Sequence, residues 1–207
     1  MKIAFMGGAC SGKTTLIQQF LKRWPHYKTS EKTYRDLIKE KNLTINKEGS
    51  EENQRIILDS LIEEVTMSKD VKDIVFDRCV VDNIVYSLWL LHNEKVSGDF
   101  IVTSKYKIRE AVSKYDIIFY VPRDKTIEIV EKENRETDVK YIEEIDNIYN
   151  AVVSSYERGL DIFFPLENCP AVITLNTKPD VRCDMISLYL RADGSLYDEK
   201  DSDWIYR

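Results

Sequence analysis

Histidine is scarce, with only His26 and His92 in the chain, and the four cysteines (Cys10, Cys79, Cys169, Cys183) form no CxxC pair. Neither histidine lies near a cysteine in sequence, which argues against a zinc site. Without a secretory leader, the same spacing argues against a disulfide framework, so all four thiols are expected to be reduced. No apolar run approaches the roughly 18 residues of a membrane helix. The apolar start at residues 1–6 is too short for a secretory signal and runs straight into Gly7-Gly8. The expectation is a cytoplasmic protein with no membrane partner. Internal repeats, low-complexity blocks and Pro/Gly-rich linkers are also missing. With 43% hydrophobic and 32% charged residues, the composition is that of a globular protein, which excludes collagen, coiled coil and disordered chain.

Positive charge is in deficit too. The 207 residues carry a net −6, which weighs against non-specific nucleic-acid binding by the whole surface. The deficit is uneven: residues 1–50 hold ten Lys/Arg against four acids, a net +6, and the remainder carries −12. A basic N-terminal quarter on an acidic body either faces an anionic ligand or is a set of solvated helix faces.

What is present is an alternation of short apolar runs and amphipathic stretches. Strands are expected at 2–6, 27–30, 73–76, 117–121 and 171–175. Helices are expected at 13–24, 53–67, 80–92, 104–114, 126–133, 139–158 and 179–190. In the first helix Leu16, Ile17, Phe20, Leu21 and Trp24 share one face. Strands alternating with helices imply βαβ units. Right-handed crossovers then give a three-layer α/β fold: a roughly five-stranded parallel sheet with helices on both faces. One domain over 1–190 is expected, with a tail at 191–207 that is a hairpin, a docked tail or a frayed end.

The segment Gly7-Gly8-Ala9-Cys10-Ser11-Gly12-Lys13-Thr14 fits G-x-x-x-x-G-K-[ST] at every fixed position, and Thr15 follows it. A strand runs in and a helix runs out, the context of a phosphate-binding loop rather than a chance match. The glycines let backbone N–H groups approach phosphate oxygens, and the helix N-terminus adds to the anion site. Lys13, expected to be solvent-facing, supplies charge to the β- and γ-phosphates, and the Thr14 hydroxyl is a hard ligand for Mg²⁺. Cys10 occupies a variable position and fills space. The implied cofactors are ATP and Mg²⁺.

A nucleoside-triphosphate loop does not by itself name a reaction. The chain has no Asp-x-x-Gly, and Asn176-Thr177-Lys178-Pro179-Asp180 has the wrong spacing for Asn-Lys-x-Asp, so the GTPase reading fails. Ile74-Val75-Phe76-Asp77 ends in an acid as a Walker B strand does, and Arg78 follows. Asp77 can hold Mg²⁺ or its water, and Arg78 can clamp a phosphate or an acceptor. The alternative is an ion pair at a strand tip.

At this point the chain resembles the P-loop nucleoside and nucleotide kinases. It looks most like the deoxynucleoside kinase and thymidylate kinase group and the small AAA-type ATP-binding kinases of the nicotinamide riboside kinase kind. Four blocks carry the resemblance: the loop and its helix; Ser30-Glu31-Lys32-Thr33-Tyr34-Arg35; Phe76-Asp77-Arg78 through Tyr86; and Tyr120-Val121-Pro122-Arg123 through Tyr141. It implies a P-loop kinase fold with a small lid at about 132–140. It implies Glu31 as base for an acceptor hydroxyl, Asp77 and Arg78 as the strand-end pair, and Arg135 as the lid arginine. The lid is arginine-poor for the family, and residues 93–114 match none of its signatures.

Several side chains keep two readings. Glu31 is a base or a helix-start acid. Arg35 reaches the cleft or pairs on the surface. Asp82 and Tyr86, at i and i+4, line the acceptor side, or Tyr86 is a core aromatic. Arg123 lies near the donor base or is a solvated loop charge. Trp89 and Tyr34 are the stacking candidates. The leading function is transfer of the ATP γ-phosphoryl group to a nucleoside or nucleotide, with a homodimer allowed. The alternatives are a kinase acting on a polynucleotide end or a base within DNA, which makes nucleic acid the less favoured partner, and a regulatory ATPase without a small-molecule acceptor.

Overall fold

The computed structural model describes residues 1–30, 34–129 and 136–197. Five strands, β1 (Lys2–Met6), β2 (Lys28–Thr29), β3 (Ile74–Asp77), β4 (Ile117–Tyr120) and β5 (Ala171–Thr174), form one sheet in the order β2-β3-β1-β4-β5. Every pairing is parallel. The helices are α1 (Lys13–Arg23), α2 (Tyr34–Glu40), α3 (Glu51–Met67), α4 (Val80–His92), α5 (Gly98–Val112), α6 (Val139–Glu157) and α7 (Arg182–Ile186).

Strand alternation sorts the core onto the two faces of the sheet. On one face Ile3 and Phe5 of β1, Val75 of β3, and Ile117 and Phe119 of β4 pack against Leu16, Ile17 and Phe20 of α1 and Ile186 of α7. On the other face Ala4, Met6, Phe76, Ile118 and Tyr120 pack against α3, α4, α5 and α6. This is the three-layer parallel α/β fold expected from the sequence. The C-terminal ends of β1 and β3 converge on the loop ahead of α1, which places the functional cleft there.

Two expected helices are corrected. Residues 126–129 of the helix expected at 126–133 are not helical, and 130–133 lie outside the described residues. Asp124 starts a turn instead, its carboxylate accepting from the Thr126 N–H at 2.8 Å and hydroxyl at 2.6 Å. The helix expected at 179–190 is a 3₁₀ turn, Pro179–Val181, followed by the five-residue α7. Helix α5 begins six residues before its expected start, capped by Ser97, whose side chain accepts from the Phe100 N–H. Of the expected lid, 132–135 lie outside the described residues, and Val139 and Lys140 open α6. Past 190 the chain turns back in a Leu190–Leu196 antiparallel bridge. This hairpin packs on the end of α1, where Trp24 Nε1 donates to Arg191 O at 2.9 Å and the Tyr27 hydroxyl donates to Gly194 O at 2.7 Å.

Candidate active site

The loop between β1 and α1 is shaped by glycine where nothing else fits. Gly7 has φ +150°, and a Cβ there would lie 2.5 Å from Val121 O. Gly12 has φ +86° and caps α1 with no side-chain hydrogen bond, leaving the first N–H groups of the helix for an anion. Cys10 is buried with φ +57° and borders the cleft with the rest of the loop. Lys13 is not solvent-facing as expected. Its side chain is 8% exposed, and Nζ lies 3.2 Å from Asp77 Oδ1.

Asp77 ends β3 with its side chain 46% exposed to the cleft. Burial pushes its carboxyl up, but the charges of Lys13, Arg78 and Arg35 outweigh that, and it is held below the ordinary carboxylate value. It is ionised at neutral pH. Arg78 has φ +102°, a strained conformation for a bulky residue. Its guanidinium lies 4.4 Å from the ring centroid of Tyr34, 5.6 Å from that of Tyr86, and 3.6 Å from Asp82 Oδ1. Burial opposes its charge, but the surrounding Tyr86, Tyr34 and Asp82 raise its pKa well above the usual arginine value.

Asp82 does not line the acceptor side. It is 1% exposed, and its carboxylate accepts from the Gly7 N–H at 3.2 Å, the Cys79 N–H at 2.8 Å and the Tyr149 hydroxyl at 2.6 Å. The start of α4 turns it inward as a capping acid, so one carboxylate holds both the phosphate-loop glycine and Arg78. Tyr86, one turn on, does reach the cleft. Trp89 does not: it packs on Tyr141 between α4 and α6 and donates to Glu144. Arg123 is not a solvated charge, with 9% of its side chain exposed and NH1 3.6 Å from Glu143.

The resulting cleft has a volume of about 240 Å³. Its floor is Gly8, Ala9, Cys10, Ser11, Gly12, Lys13, Thr14 and Thr15, and the facing wall is Tyr34, Arg35, Ile38, Ile45, Asn46, Arg78, Tyr86 and Glu136. Glu31 and Arg135 lie outside the described residues. Sequence reasoning did not single out Asn46, which sits in a stretch without periodicity or motif, or Glu136, which lies in the expected lid beside the residue chosen there, Arg135. It also missed Glu64 of α3, whose carboxyl is pushed up by burial, held back by a Ser30 hydrogen bond and pushed further by Asp77. Arg182 of α7 was missed as well. It is 2% exposed and donates to the carbonyls of Ser11 at 2.5 Å, Pro122 at 2.9 Å and Thr177 at 3.1 Å.

The donor set fits Mg²⁺. Thr14 at the start of α1 and the ionised Asp77 bring hard oxygen atoms to one cleft. No group of three or more His, Cys, Asp or Glu able to hold a metal occurs among the described residues. Two protein oxygens suit an ion that takes its other ligands from phosphate and water.

Residues 2–160 match the family model described as AAA domain. The chain belongs to that family. Among solved structures it is similar to the deoxyadenosine kinase from M. mycoides with bound dATP, at 18% identity and TM-score 0.64, covering 91% of this chain and 97% of that one. It is also similar to the NadR protein in complex with NR, at 15% identity and TM-score 0.63, covering 96% of this chain and 53% of that one, so it spans about half the length of NadR. No curated protein matches the chain. The shared fold is that of the P-loop kinases the sequence resembles. No helix among the described residues is long and apolar enough to cross a membrane.

Proposed function

We propose that the protein is an ATP-dependent phosphotransferase that moves the γ-phosphoryl group to the hydroxyl of a nucleoside. The observation that carries the reading is the meeting of Lys13 and Asp77 at 3.2 Å on the rim of one cleft, with the phosphate loop on one side and an aromatic wall on the other. The two solved neighbours support it: one is a deoxyadenosine kinase and the other is bound to NR.

In this mechanism the loop N–H groups and the N-terminus of α1 bind the triphosphate. Lys13, paired with Asp77 in this structure, turns its charge to phosphate oxygens. Mg²⁺, when bound, would offset triphosphate charge. Thr14 and Asp77 would hold it. Arg78, fixed by Asp82 and wedged against Tyr34, points charge at the transferring group, and Arg135 adds to it from the lid. Glu31 takes the acceptor proton. Arg35 and Tyr86 hold the acceptor. Arg35 and Arg78 are the only cations on the facing wall among the described residues, and Arg78 serves the transferring group in this mechanism. A second phosphate on the acceptor is therefore poorly matched, and an uncharged nucleoside is favoured over a nucleotide.

The test is product mass after incubation with ATP, Mg²⁺ and a panel of nucleosides, nucleotides and short DNA. A nucleoside gaining one phosphate is expected. Phosphate appearing only on DNA, or free phosphate with no acceptor product, contradicts the reading.

A further inference from the structure

The buried guanidinium of Arg182 joins three loops. Nε bonds the loop after β5 through Thr177 O, NH2 bonds the loop after β4 through Pro122 O, and NH1 bonds the phosphate loop through Ser11 O. These loops leave β5, β4 and β1, neighbouring strands of the sheet, on the side where the cleft lies. The group also lies against the turn itself, with NH1 3.6 Å from where a Gly12 Cβ would stand.

A carbonyl is a neutral acceptor, and no carboxylate forms an ion pair with Arg182 among the described residues. Burial works against its charge, and Asp124 and Tyr120 act on it only through space. A buried cation without a paired anion is costly, and an apolar side chain of similar size would avoid that cost only by leaving the Ser11, Pro122 and Thr177 carbonyls without these donors. The three carbonyls account for the donors but, being neutral, do not call for the charge. What distinguishes the position is its neighbour: the phosphate loop, built to receive several negative charges, lies against it. Solvent screening between the two is weak because the guanidinium is buried.

We infer that Arg182 is a positioning residue for the donor triphosphate. It fixes the phosphate loop in its anion-binding shape through Ser11 and adds an unpaired positive charge. It touches neither ATP nor the acceptor. The inference rests on the phosphotransferase reading of the cleft. It predicts that Arg182 governs affinity for ATP and leaves the acceptor wall, built from α2, the 45–46 segment and α4, unaffected.

The experiment measures binding of a non-hydrolysable ATP analogue and of inorganic triphosphate, with KM for ATP and for the acceptor, in wild type, Arg182→Met and Arg182→Lys. Thermal unfolding of each protein without ligand accompanies it. In Arg182→Met, analogue and triphosphate affinity are expected to fall by roughly tenfold or more, with KM for ATP rising in step and acceptor KM unchanged. In Arg182→Lys, which keeps the charge and loses the fork, part of that affinity returns. If Arg182→Met does not fold, Arg182→Lys decides: it is expected to bind triphosphate less tightly than wild type with its acceptor KM intact. Affinity at the wild-type level in a folded variant overturns the inference, as does a parallel loss of ATP and acceptor affinity that follows the drop in unfolding temperature. Wild-type protein that binds no nucleotide overturns the phosphotransferase reading itself and the inference with it. A variant that binds normally overturns only the inference.

Discussion

Asp77 is the residue where motif and environment agree most closely. The sequence offers an acid at the end of an apolar strand, and the structure places it within 3.2 Å of the phosphate-loop lysine. Its carboxyl is held low by three cations despite burial, so it is an anion at any pH near neutral. Asp77→Asn is therefore expected to raise the Mg²⁺ concentration needed for half-maximal turnover by at least about tenfold, and to lower turnover at saturating Mg²⁺. A Mg²⁺ titration of initial rate checks this, and a wild-type titration curve would make Asp77 structural. Asp82 shows the opposite outcome. Its spacing with Tyr86 on one helix is correctly read, yet the side chain turns inward because the N-terminus of α4 needs a capping acid and Gly7 and Tyr149 both need an acceptor. Periodicity assigns a residue to a helix face; it does not say which hydrogen-bond donors wait on that face.

At the scale of elements, the sequence was most legible where apolar periodicity was strong and least legible where a local hydrogen bond overrode it. Helix α4 and strand β1 stand at their expected bounds. The stretch after Pro122 reads as helix by composition, but the Asp124 turn takes the backbone instead. The start of α5 escaped notice because Gly98 and Asp99 are poor helix formers and only the Ser97 cap marks it. That same Ser97 ties α5 to α3. Glu51 accepts its N–H at 2.9 Å and its hydroxyl at 2.7 Å, and binds Arg55 at 2.6 Å. These bonds lower the Glu51 pKa to about 2. The folded value lies below the unfolded value of about 4.3. The stabilisation is therefore complete above the unfolded value and is lost as pH falls from about 5 toward 2. Glu51→Gln is expected to cost about 1 kcal/mol at pH 7, discounted for a surface site. That corresponds to a drop in Tm of about 2–4 °C. The gap between variant and wild type should close as the pH falls through that window, as thermal melts at several pH values would show. A gap that persists unchanged at low pH would place the effect elsewhere.

For the whole molecule, the fold followed from the alternation of strands and helices together with one specific motif, and the phosphate-loop side of the cleft followed from the motif. The facing wall followed only in part: Arg35, Arg78 and Tyr86 were legible, but Asn46 and Glu136, far apart in sequence, were not, nor was the strain of Arg78, whose orientation depends on Tyr34 and Asp82. Arg182 was illegible for the same reason, since it lies 169 positions after Lys13 in a helix of five residues. The central claim is that this cleft carries the ATP γ-phosphoryl group to an acceptor through Lys13. It is tested most directly by following a γ-labelled ATP in wild type and in Lys13→Ala, at saturating Mg²⁺ and nucleoside. Label is expected on the nucleoside in wild type, with kcat at least roughly 100-fold lower in the variant, the scale for losing one fixed charge-stabilising donor. Both proteins should have similar far-UV spectra, because Asp77 remains hydrated when its partner is removed. Equal label transfer by the two proteins, or label recovered only as free phosphate, would contradict the claim.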